Sequence, residues 1–325
     1  FLPFDNLGLI IVDEEHEPSF KQYQPSPRYH ARDASIYLSK IHNAKVLLGS
    51  ATPSLETYYN CKNNKYSLVE LNNRFSDIEL PEIHIVDIKK AHLKKQMEYH
   101  FSPFLIKNIL EALKKEKQII LFQNRRGFAP YLECNLCSWT PKCNNCDVSL
   151  TFHKYTNSLR CHYCGFSEDR IISCVSCGHN EMLDKGFGTE QIEEELKVLF
   201  PKAKTQRMDF DTTRKKNSYE QIIDDFERGN TNILIGTQMV TKGLDFDNVE
   251  VVGVLNADSM LKFPDFRAFE RSYQLMSQVA GRAGRKGDRG KVIIQTYDDK
   301  HEILHQVKHH DYLQMFKKQL EERKI

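Results

Sequence analysis

The chain has 325 residues, of which 40% are hydrophobic and 28% are charged, and these proportions are typical of a globular protein of about two domains. Its 46 Lys and Arg nearly balance its 44 Asp and Glu, so a global positive field is excluded and any contact with nucleic acid requires local basic clusters. No apolar run approaches the length that crosses a membrane.

The first predicted strand covers residues 7–12, a continuous apolar run of the kind that forms a buried parallel strand. The stretch Asp13-Glu-Glu-His16 follows at its carboxyl end, where α/β sheets bind their ligands. In nucleotide hydrolases an Asp at this place holds Mg²⁺ and a neighbouring Glu orients the attacking water, whereas the alternative is a simple charged turn. Because the chain begins at Phe1 and enters the strand almost at once, we expect a segment of a longer protein.

Aromatic rings alternate with cations in the next stretch. The residues concerned are Phe20, Lys21, Tyr23, Arg28 and Tyr29. Rings stack on unpaired bases and cations meet phosphates, so the pattern predicts a contact with single-stranded DNA. The alternative is a surface loop whose rings pack inward. Two prolines exclude a helix within this loop, and a helix is predicted afterwards over residues 31–42.

A second strand is predicted over residues 44–48, and it ends in Gly49-Ser-Ala-Thr-Pro53, whose small and hydroxyl-bearing residues allow close approach to a phosphate or a catalytic group. The Pro followed by Ser54 suits the start of a helix. Further strands are predicted over residues 65–69 and 83–87, with a turn-rich stretch between them.

Eight of the nine cysteines form four Cys-x-x-Cys pairs in one stretch. The pairs are Cys134/Cys137, Cys143/Cys146, Cys161/Cys164 and Cys174/Cys177. Each pair presents two thiolates at the separation that a tetrahedral Zn²⁺ accepts, so two Cys₄ zinc sites are predicted. A disulfide framework belongs to small secreted chains, and a thioredoxin-like motif needs only one pair. Reduced thiolate ligands predict a cytoplasmic location.

The pairing of these knuckles has two alternatives. Residues 147–153 and 158–160 are predicted strands separated by a polar turn, which would fold the two inner knuckles onto each other as a zinc ribbon. The outer two knuckles would then share the second ion in a nested arrangement, which we expect. Sequential pairing, first with second and third with fourth, is the alternative.

Strands and helices alternate again after the cysteines, so the zinc region is predicted to be an insertion. Thr189 is the predicted N-cap of a helix, and a strand over residues 232–235 ends in Gly236-Thr-Gln238. A later predicted helix carries Gln278, Arg282 and Arg285 at positions i, i+4 and i+7, on one face. Two guanidiniums on one face suit a γ-phosphate, as in an arginine finger, and the alternative is a basic exposed helix.

The order of the motifs is more specific than any one of them. Asp-Glu-Glu-His at 13–16, Gly-Ser-Ala-Thr-Pro at 49–53, Gly-Thr-Gln-Met-Val-Thr-Lys-Gly at 236–243 and Gln-Val-Ala-Gly-Arg-Ala-Gly-Arg at 278–285 resemble motifs II, III, V and VI of superfamily-two helicases. Asn124-Arg-Arg-Gly-Phe-Ala-Pro130, the four knuckles and Gly188-Thr-Glu-Gln191 resemble the PriA family of replication-restart helicases. The matches at 28–33 and 211–213 extend this resemblance over nearly the whole chain.

The resemblance implies an α/β fold with two RecA-like helicase lobes, the first incomplete, and a double zinc-ribbon cysteine-rich insertion in the second lobe. The implied segments are 1–86 for the end of lobe 1, 87–133 for the start of lobe 2, 134–180 for the insertion, 181–297 for the rest of lobe 2 and 298–325 for the start of a C-terminal region.

It also implies an ATP-dependent 3′→5′ DNA helicase that recognises stalled or abandoned forks and starts primosome reassembly. Catalysis would involve Asp13 on Mg²⁺, Glu14 on water, His16 and Gln278 between the lobes, and Arg282 and Arg285 on the γ-phosphate. Nucleotide binding would involve Asp13, Gly243, Asp245, Arg282 and Arg285. DNA binding would involve Phe20, Lys21, Tyr23, Arg28, Tyr29, Arg125, Arg126, Thr237 and Lys242.

The implied partners are forked and single-stranded DNA, primosome proteins and single-stranded-DNA-binding protein, for a monomer associated with the bacterial nucleoid. The sequence departs from the family in lacking the phosphate loop G-x-x-x-x-G-K-[ST], which lies upstream of Asp-Glu-Glu-His in that family. By the same resemblance, we expect the family's N-terminal DNA-binding part and most of its C-terminal domain to lie outside this chain. We therefore expect the chain by itself not to hydrolyse ATP. A zinc-ribbon scaffold without catalysis and a double-strand translocase are the alternative functions.

Overall fold

The structure is a computed structural model that describes residues 4–71, 79–124, 131–137, 139–146, 148–153, 156–161, 164–185, 188–209, 212–213, 217–241, 246–284 and 289–323. The chain divides into two units, one of residues 1–72 with 320–325 and one of residues 73–319. None of the helices in the described ranges is both long enough and apolar enough to span a lipid bilayer.

The first unit contains two parallel strands, β1 (Leu9–Val12) and β2 (Lys45–Leu48), connected through helix α1 (Ala31–His42). Helix α1 packs against both strands, and helix α2 (Leu55–Lys62) follows with the Ser54 hydroxyl accepting from the Thr57 backbone N–H as a cap. These elements confirm the predicted helix over 31–42 and the predicted helix start at Ser54.

Two details of the first unit differ from the sequence prediction. Strand β1 is not buried on both faces, since Leu9 is 52% exposed and Ile11 is 62% exposed. The strand predicted over residues 65–69 is absent from this described stretch, because the backbone N–H groups of Lys65 and Tyr66 instead close the end of α2 by donating to the Asn60 carbonyl.

The second unit carries the remaining elements. Its strands are β3 (Glu82–Asp87), β4 (Gln118–Phe122), β5 (Tyr131–Cys134), β6 (Thr151–His153), β7 (Ser158–Arg160), β8 (Ser167–Asp169), β9 (Met182–Lys185), β10 (Thr205–Met208), β11 (Ile233–Gly236), β12 (Val249–Val254) and β13 (Lys291–Thr296). Its helices are α3 (Ile88–Leu93), α4 (Pro103–Lys114), α5 (Thr189–Leu199), α6 (Ser218–Glu227), α7 (Asp258–Leu261), α8 (Ala268–Ala280) and α9 (Glu302–Lys308), and α10 (Tyr312–Glu322) ends the described chain.

Six of these strands form one parallel sheet in the order β10-β11-β4-β12-β13-β3. Helices α4 and α5 cover one face, where Leu105, Ile109 and Leu196 pack against alternate residues of β4, β11 and β12. Residues 119–122 are all fully buried, which explains why the central strands read as continuous apolar runs.

The predicted boundary at residue 86 lies in the wrong place. Strand β3 pairs with β13 over six residues and so belongs to the sheet of the second unit, where Ile83 is 4% exposed. A residue pattern gives no register between strands 200 positions apart, so only the paired structure assigns β3 to its sheet. Residues 298–319 of the segment predicted from 298 also belong to this unit, in which α9 packs against α8 and β3.

The cysteine-rich region is an insertion between β4 and α5, as predicted. Strand β5 pairs with β9 where the chain enters and leaves it, and β6, β7 and β8 form a three-stranded antiparallel sheet inside it. The end of the insertion corrects one expectation: Gly188 is the N-cap of α5, and the Thr189 hydroxyl donates to the Asp209 carboxylate instead.

Candidate functional site

The eight paired cysteines form two groups of four sulfur atoms. The groups are Cys134, Cys137, Cys174 and Cys177, and Cys143, Cys146, Cys161 and Cys164. All Sγ atoms within a group lie within 4.8 Å of one another, with 3.5 Å between Cys134 and Cys177. A tetrahedral Zn²⁺ with Zn–S bonds of about 2.3 Å requires sulfurs about 3.8 Å apart. The nested pairing is therefore confirmed, and the sequential alternative is wrong.

All four knuckles share one turn. In each, the backbone N–H of the first cysteine donates to the carbonyl five residues later, at 2.8–2.9 Å, as from Cys134 to Trp139 and from Cys143 to Val148. This turn directs both thiols of a knuckle to the same side. The β6–β7 hairpin then brings the two inner knuckles together, and the β5–β9 pair brings the outer two together.

The electrostatics of the sulfurs favour a cation. Burial would raise the pKa of the Cys134 thiol, but the backbone N–H groups of Cys137 and Leu136 oppose this and lower it to about 7. The backbone N–H of Phe166 lowers the pKa of Cys164 to about 6, while the hydrogen bond to Cys164 raises the pKa of Cys146 to about 12. Some thiols thus hold their protons, because ionising all four sulfurs of a group would bring together four negative charges that repel each other. A divalent ion removes that repulsion, and four sulfur ligands suit Zn²⁺, so these groups support two structural zincs.

An ion pair with a buried carboxylate connects the insertion to the rest of the second unit. Lys262, just after α7, donates from Nζ to Glu133 Oε2 of β5 at 3.0 Å, and the Glu133 side chain is only 2% exposed. A carboxylate so far from water needs its cation, so Lys262 holds β5 against the segment between α7 and α8.

Replacing Lys262 by Met is expected to destabilise the second unit by about 3 kcal/mol, because the buried Glu133 carboxylate loses the positive charge that lies 3.0 Å from its Oε2 atom. Thermal unfolding should show a Tm lower by roughly 6–12 °C. The matched control is Lys107→Met, which breaks an exposed pair with Glu111 at 3.9 Å and should cost under about 0.5 kcal/mol. Equal effects of the two substitutions would contradict the anchoring role of Lys262.

In the first unit, Asp13, Glu14 and His16 form a tight turn directly after β1. Asp13 is exposed, and its Oδ1 accepts from the Glu14 backbone N–H at 2.9 Å. Glu14 has a left-handed backbone with φ of 48°, which is uncommon for a residue with a side chain. Its Oε2 is buried and has no hydrogen-bond partner among the described residues, so it can accept a proton from a bound water.

The turn also contacts the Gly-Ser-Ala-Thr-Pro motif. His16 Nδ1 lies 2.7 Å from Ser50 Oγ and 3.6 Å from Glu14 Oε2. Gly49 lies so close that a Cβ there would be 3.4 Å from Asp13 Oδ1. The two motifs predicted at neighbouring strand ends therefore lie side by side, because β1 and β2 are adjacent parallel strands.

The aromatic stretch is a hairpin. Lys21 pairs with His30 in an antiparallel bridge, and the Gln22 backbone N–H donates to the Tyr29 carbonyl at 3.0 Å. Tyr23 is 59% exposed and Tyr29 is 38% exposed, so the inward-packing alternative is wrong for these two rings. Arg28 is exposed between them, whereas Phe20 and Lys21 are half-buried at the base of the hairpin.

The structure describes some of the predicted motif residues of the second unit. Gln278 lies half-buried on α8, which packs against a short 3₁₀ helix at Gln238–Thr241. Thr237, just before that helix, is 4% exposed and so offers little side-chain surface to DNA in this form. The predicted helical face of Gln278, Arg282 and Arg285 is wrong at Arg282, which lies beyond the last helical residue, Ala280.

A glycine in a left-handed conformation fixes the turn that follows the helix. Gly284 has φ of 66°, and a Cβ on it would lie 2.1 Å from the backbone N of Gly290, so no other residue fits. Its backbone N–H donates to the Val249 carbonyl at 2.9 Å and ties the end of the motif to β12. Six predicted site residues lie outside the described residues and remain predictions, namely Arg125, Arg126, Lys242, Gly243, Asp245 and Arg285.

Two important residues had no predicted role. Glu15 and Arg32 are buried and form an ion pair of 2.9 Å within the first unit. The sequence gives one hint of this role. Glu15 directly follows Glu14, and the predicted reaction needs only one of these two glutamates.

Comparisons with known proteins agree with the family resemblance seen in the sequence motifs. The model described as the PriA DNA helicase Cys-rich region matches residues 143–168, and the helicase conserved C-terminal domain matches residues 169–287. The replication restart protein PriA of Bacillus subtilis (strain 168) is 43% identical over 324 residues, which cover 100% of this chain and 40% of that protein. The chain matches the PriA family along its whole length.

Other relatives show the same pattern. The replication restart protein PriA of Haemophilus influenzae is 44% identical, covering 94% of this chain and 41% of that protein, and that of Rickettsia typhi is 43% identical, covering 100% and 50%. The chain therefore spans half or less of the length of these PriA proteins. Among solved structures, RecG bound to a three-way DNA junction has a TM-score of 0.50 at 13% identity and covers 98% of this chain and 30% of that chain. The predicted α/β helicase fold with a zinc-ribbon insertion is confirmed.

Proposed function

We propose that this chain is a motor segment of an ATP-dependent 3′→5′ DNA helicase that recognises stalled or abandoned forks and initiates primosome reassembly. The supporting observation is the turn at 13–16, where an exposed Asp13 adjoins a Glu14 oxygen without a hydrogen-bond partner in the described residues. Such a pair is what nucleotide hydrolysis requires at the carboxyl end of a strand. The similarity to PriA proteins extends over the turn and the cysteine groups alike.

Each residue has a proposed task. Asp13 binds Mg²⁺, which shields the phosphate charge when ATP is bound, and Glu14 orients the attacking water. His16 keeps Glu14 next to Ser50, since its ring lies near both side chains. Arg282 and Arg285 act at the γ-phosphate, Gln278 couples the helicase lobes, and Gly243 and Asp245 contribute to nucleotide binding.

The proposed DNA contacts centre on the hairpin at 20–29. Its exposed rings offer stacking surfaces and its cations, Lys21 and Arg28, offer contacts to phosphates. The remaining proposed DNA contacts are Phe20, Arg125, Arg126, Thr237 and Lys242. The zinc-bearing insertion supports strand separation and binds primosome proteins and single-stranded-DNA-binding protein, and the protein works as a monomer in the bacterial cytoplasm, at the nucleoid.

Replacing Tyr23 or Tyr29 by Ala is expected to weaken binding of single-stranded DNA by about 1–3 kcal/mol, because one stacking surface is lost. Fluorescence anisotropy of a labelled oligonucleotide measures the change in Kd. Tyr37→Ala is the matched control, since Tyr37 is 69% exposed on α1 and has no proposed DNA contact. Equal weakening by all three variants would argue against the hairpin.

The helicase proposal is tested with a forked DNA whose lagging-strand arm is duplex. The protein that carries this segment together with a phosphate loop should displace that arm with ATP and not with a non-hydrolysable analogue. Binding without hydrolysis would favour the scaffold, and hydrolysis without displacement would favour a translocase. This chain by itself has no phosphate-loop sequence and is proposed not to hydrolyse ATP.

A further inference from the structure

Glu15 is a charged side chain that is almost completely buried. It is 1% exposed, and its carboxylate accepts from Arg32 at 2.9 Å, from the Ser54 backbone N–H at 2.6 Å and hydroxyl at 3.1 Å, and from the Thr57 hydroxyl at 2.8 Å. A carboxylate removed from water is stable only when it is paired and hydrogen-bonded in this way. Its position is therefore strictly determined by its four donors.

These donors come from two different helices. Ser54 and Thr57 belong to the start of α2, and Arg32 belongs to the first turn of α1. Arg32 is 8% exposed and also donates to the exposed carboxylate of Asp33 at 2.8 Å. Burial would lower the pKa of Arg32, but the hydrogen bonds to Asp33 and Glu15 raise it, so the guanidinium stays charged.

The position of Glu15 controls the backbone of Glu14. The Glu15 backbone N–H donates to the Gly49 carbonyl at 3.0 Å, so Glu15 is held by its main chain as well as by its side chain. On the other side, Asp13 Oδ1 holds the Glu14 N–H at 2.9 Å. A left-handed glutamate, at φ of 48°, persists only where its neighbours prevent it from relaxing.

Arg32 of this ion pair lies just after the aromatic hairpin in the chain. His30, which pairs with Lys21 across the hairpin, is the N-cap of α1, and Arg32 comes two residues later. The exposed rings of Tyr23 and Tyr29 are therefore connected to Glu14 by a short path: hairpin, start of α1, Arg32 and Glu15.

We propose that Glu15 and Arg32 are positioning residues that make ATP hydrolysis respond to single-stranded DNA. DNA stacked on the hairpin holds the start of α1 more firmly, so that Arg32 and Glu15 keep Glu14 more rigidly in the backbone conformation in which it orients water. Neither residue touches the nucleotide. This inference rests on the proposed helicase function, and it adds the contact by which that site is regulated.

The experiment uses the protein that carries this segment with its phosphate loop, as Glu15→Gln and Arg32→Lys variants. The rate of hydrolysis with saturating single-stranded DNA should fall about tenfold, while the rate without DNA and the Kd for DNA change less than about twofold. Asp33→Asn is the matched control, because it removes the exposed partner of the same guanidinium. Its stimulation by DNA should equal that of the wild type.

Each result decides between the possibilities. A parallel fall of the rates with and without DNA, or full stimulation in both variants, would overturn the positioning role. If these variants do not fold, Thr57→Val removes one donor to Glu15 and leaves the ion pair, and it should lower the stimulation about two- to fivefold. A wild-type protein without DNA-stimulated hydrolysis would overturn the proposed function itself, whereas a stimulated wild type with fully stimulated variants would overturn only this inference.

Discussion

Replacing Cys134 and Cys177 together by Ser is expected to leave one bound zinc ion per chain. Both sulfurs belong to the same group, so the second group keeps its four ligands. Sequential pairing would have put these residues in different sites, and the double variant would then have damaged both. Metal released by a thiol-reactive reagent and quantified with a zinc-binding dye gives the count.

The complementary double variant is Cys134→Ser with Cys143→Ser, which removes one ligand from each group and should leave neither site intact. Cys61→Ser is the control, since Cys61 lies outside both groups and its loss should leave two zincs. One zinc in the complementary variant would contradict the nested pairing.

Removing both metals with a chelator should unfold the insertion. Structural zinc contributes about 10–16 kcal/mol to the folding of small domains, and here the apolar cluster of the insertion, including Leu150, Phe152 and Leu159, forms around the cysteines. Trp139 is the single tryptophan of the chain and packs against this cluster, so its fluorescence reports on the insertion alone. An unchanged emission spectrum after complete metal loss would show that the insertion folds without zinc.

Replacing Glu14 by Gln should lower DNA-stimulated ATP hydrolysis by about 10²–10⁴-fold in the protein that carries this segment with a phosphate loop. The amide cannot accept the proton of the attacking water, but it keeps the size of the side chain. Binding of ATP should therefore be retained. Steady-state hydrolysis with saturating single-stranded DNA, together with nucleotide binding by calorimetry, separates the two effects.

The control for this variant is Glu17→Gln, which removes a carboxylate of the same type three residues further along the chain. Its hydrolysis rate should stay within about twofold of the wild type, because Glu17 has no proposed role at the phosphates. A normal rate in the Glu14 variant would remove Glu14 from the reaction and would leave the scaffold as the favoured function.

Helices and strands with strong local signals were predictable. The helix predicted over 31–42 is present with these bounds, and the helix starting after Ser54 has a capping hydroxyl that accepts from the backbone N–H three residues ahead. By contrast, the assignment of β3 to the second unit and the end of α8 before Arg282 were missed. The first depends on a partner strand about 200 residues away, and the second involves a turn after Ala280 in which Gly284 approaches Gly290 in a conformation that few residues adopt.

By itself, the sequence determined which residues could carry chemistry, and it predicted the kind of chemistry. Four Cys-x-x-Cys pairs and acids after an apolar strand are short-range patterns, and their spacing along the chain alone indicates metal and nucleotide chemistry. Only the tertiary structure decided that Glu15 is a buried carboxylate that hydrogen-bonds to residues of both α1 and α2, and that Glu14 has a left-handed backbone. The physical reason is that burial of a charge depends on donors supplied by distant segments, here Arg32, Ser54 and Thr57, and no local pattern shows where those segments will pack.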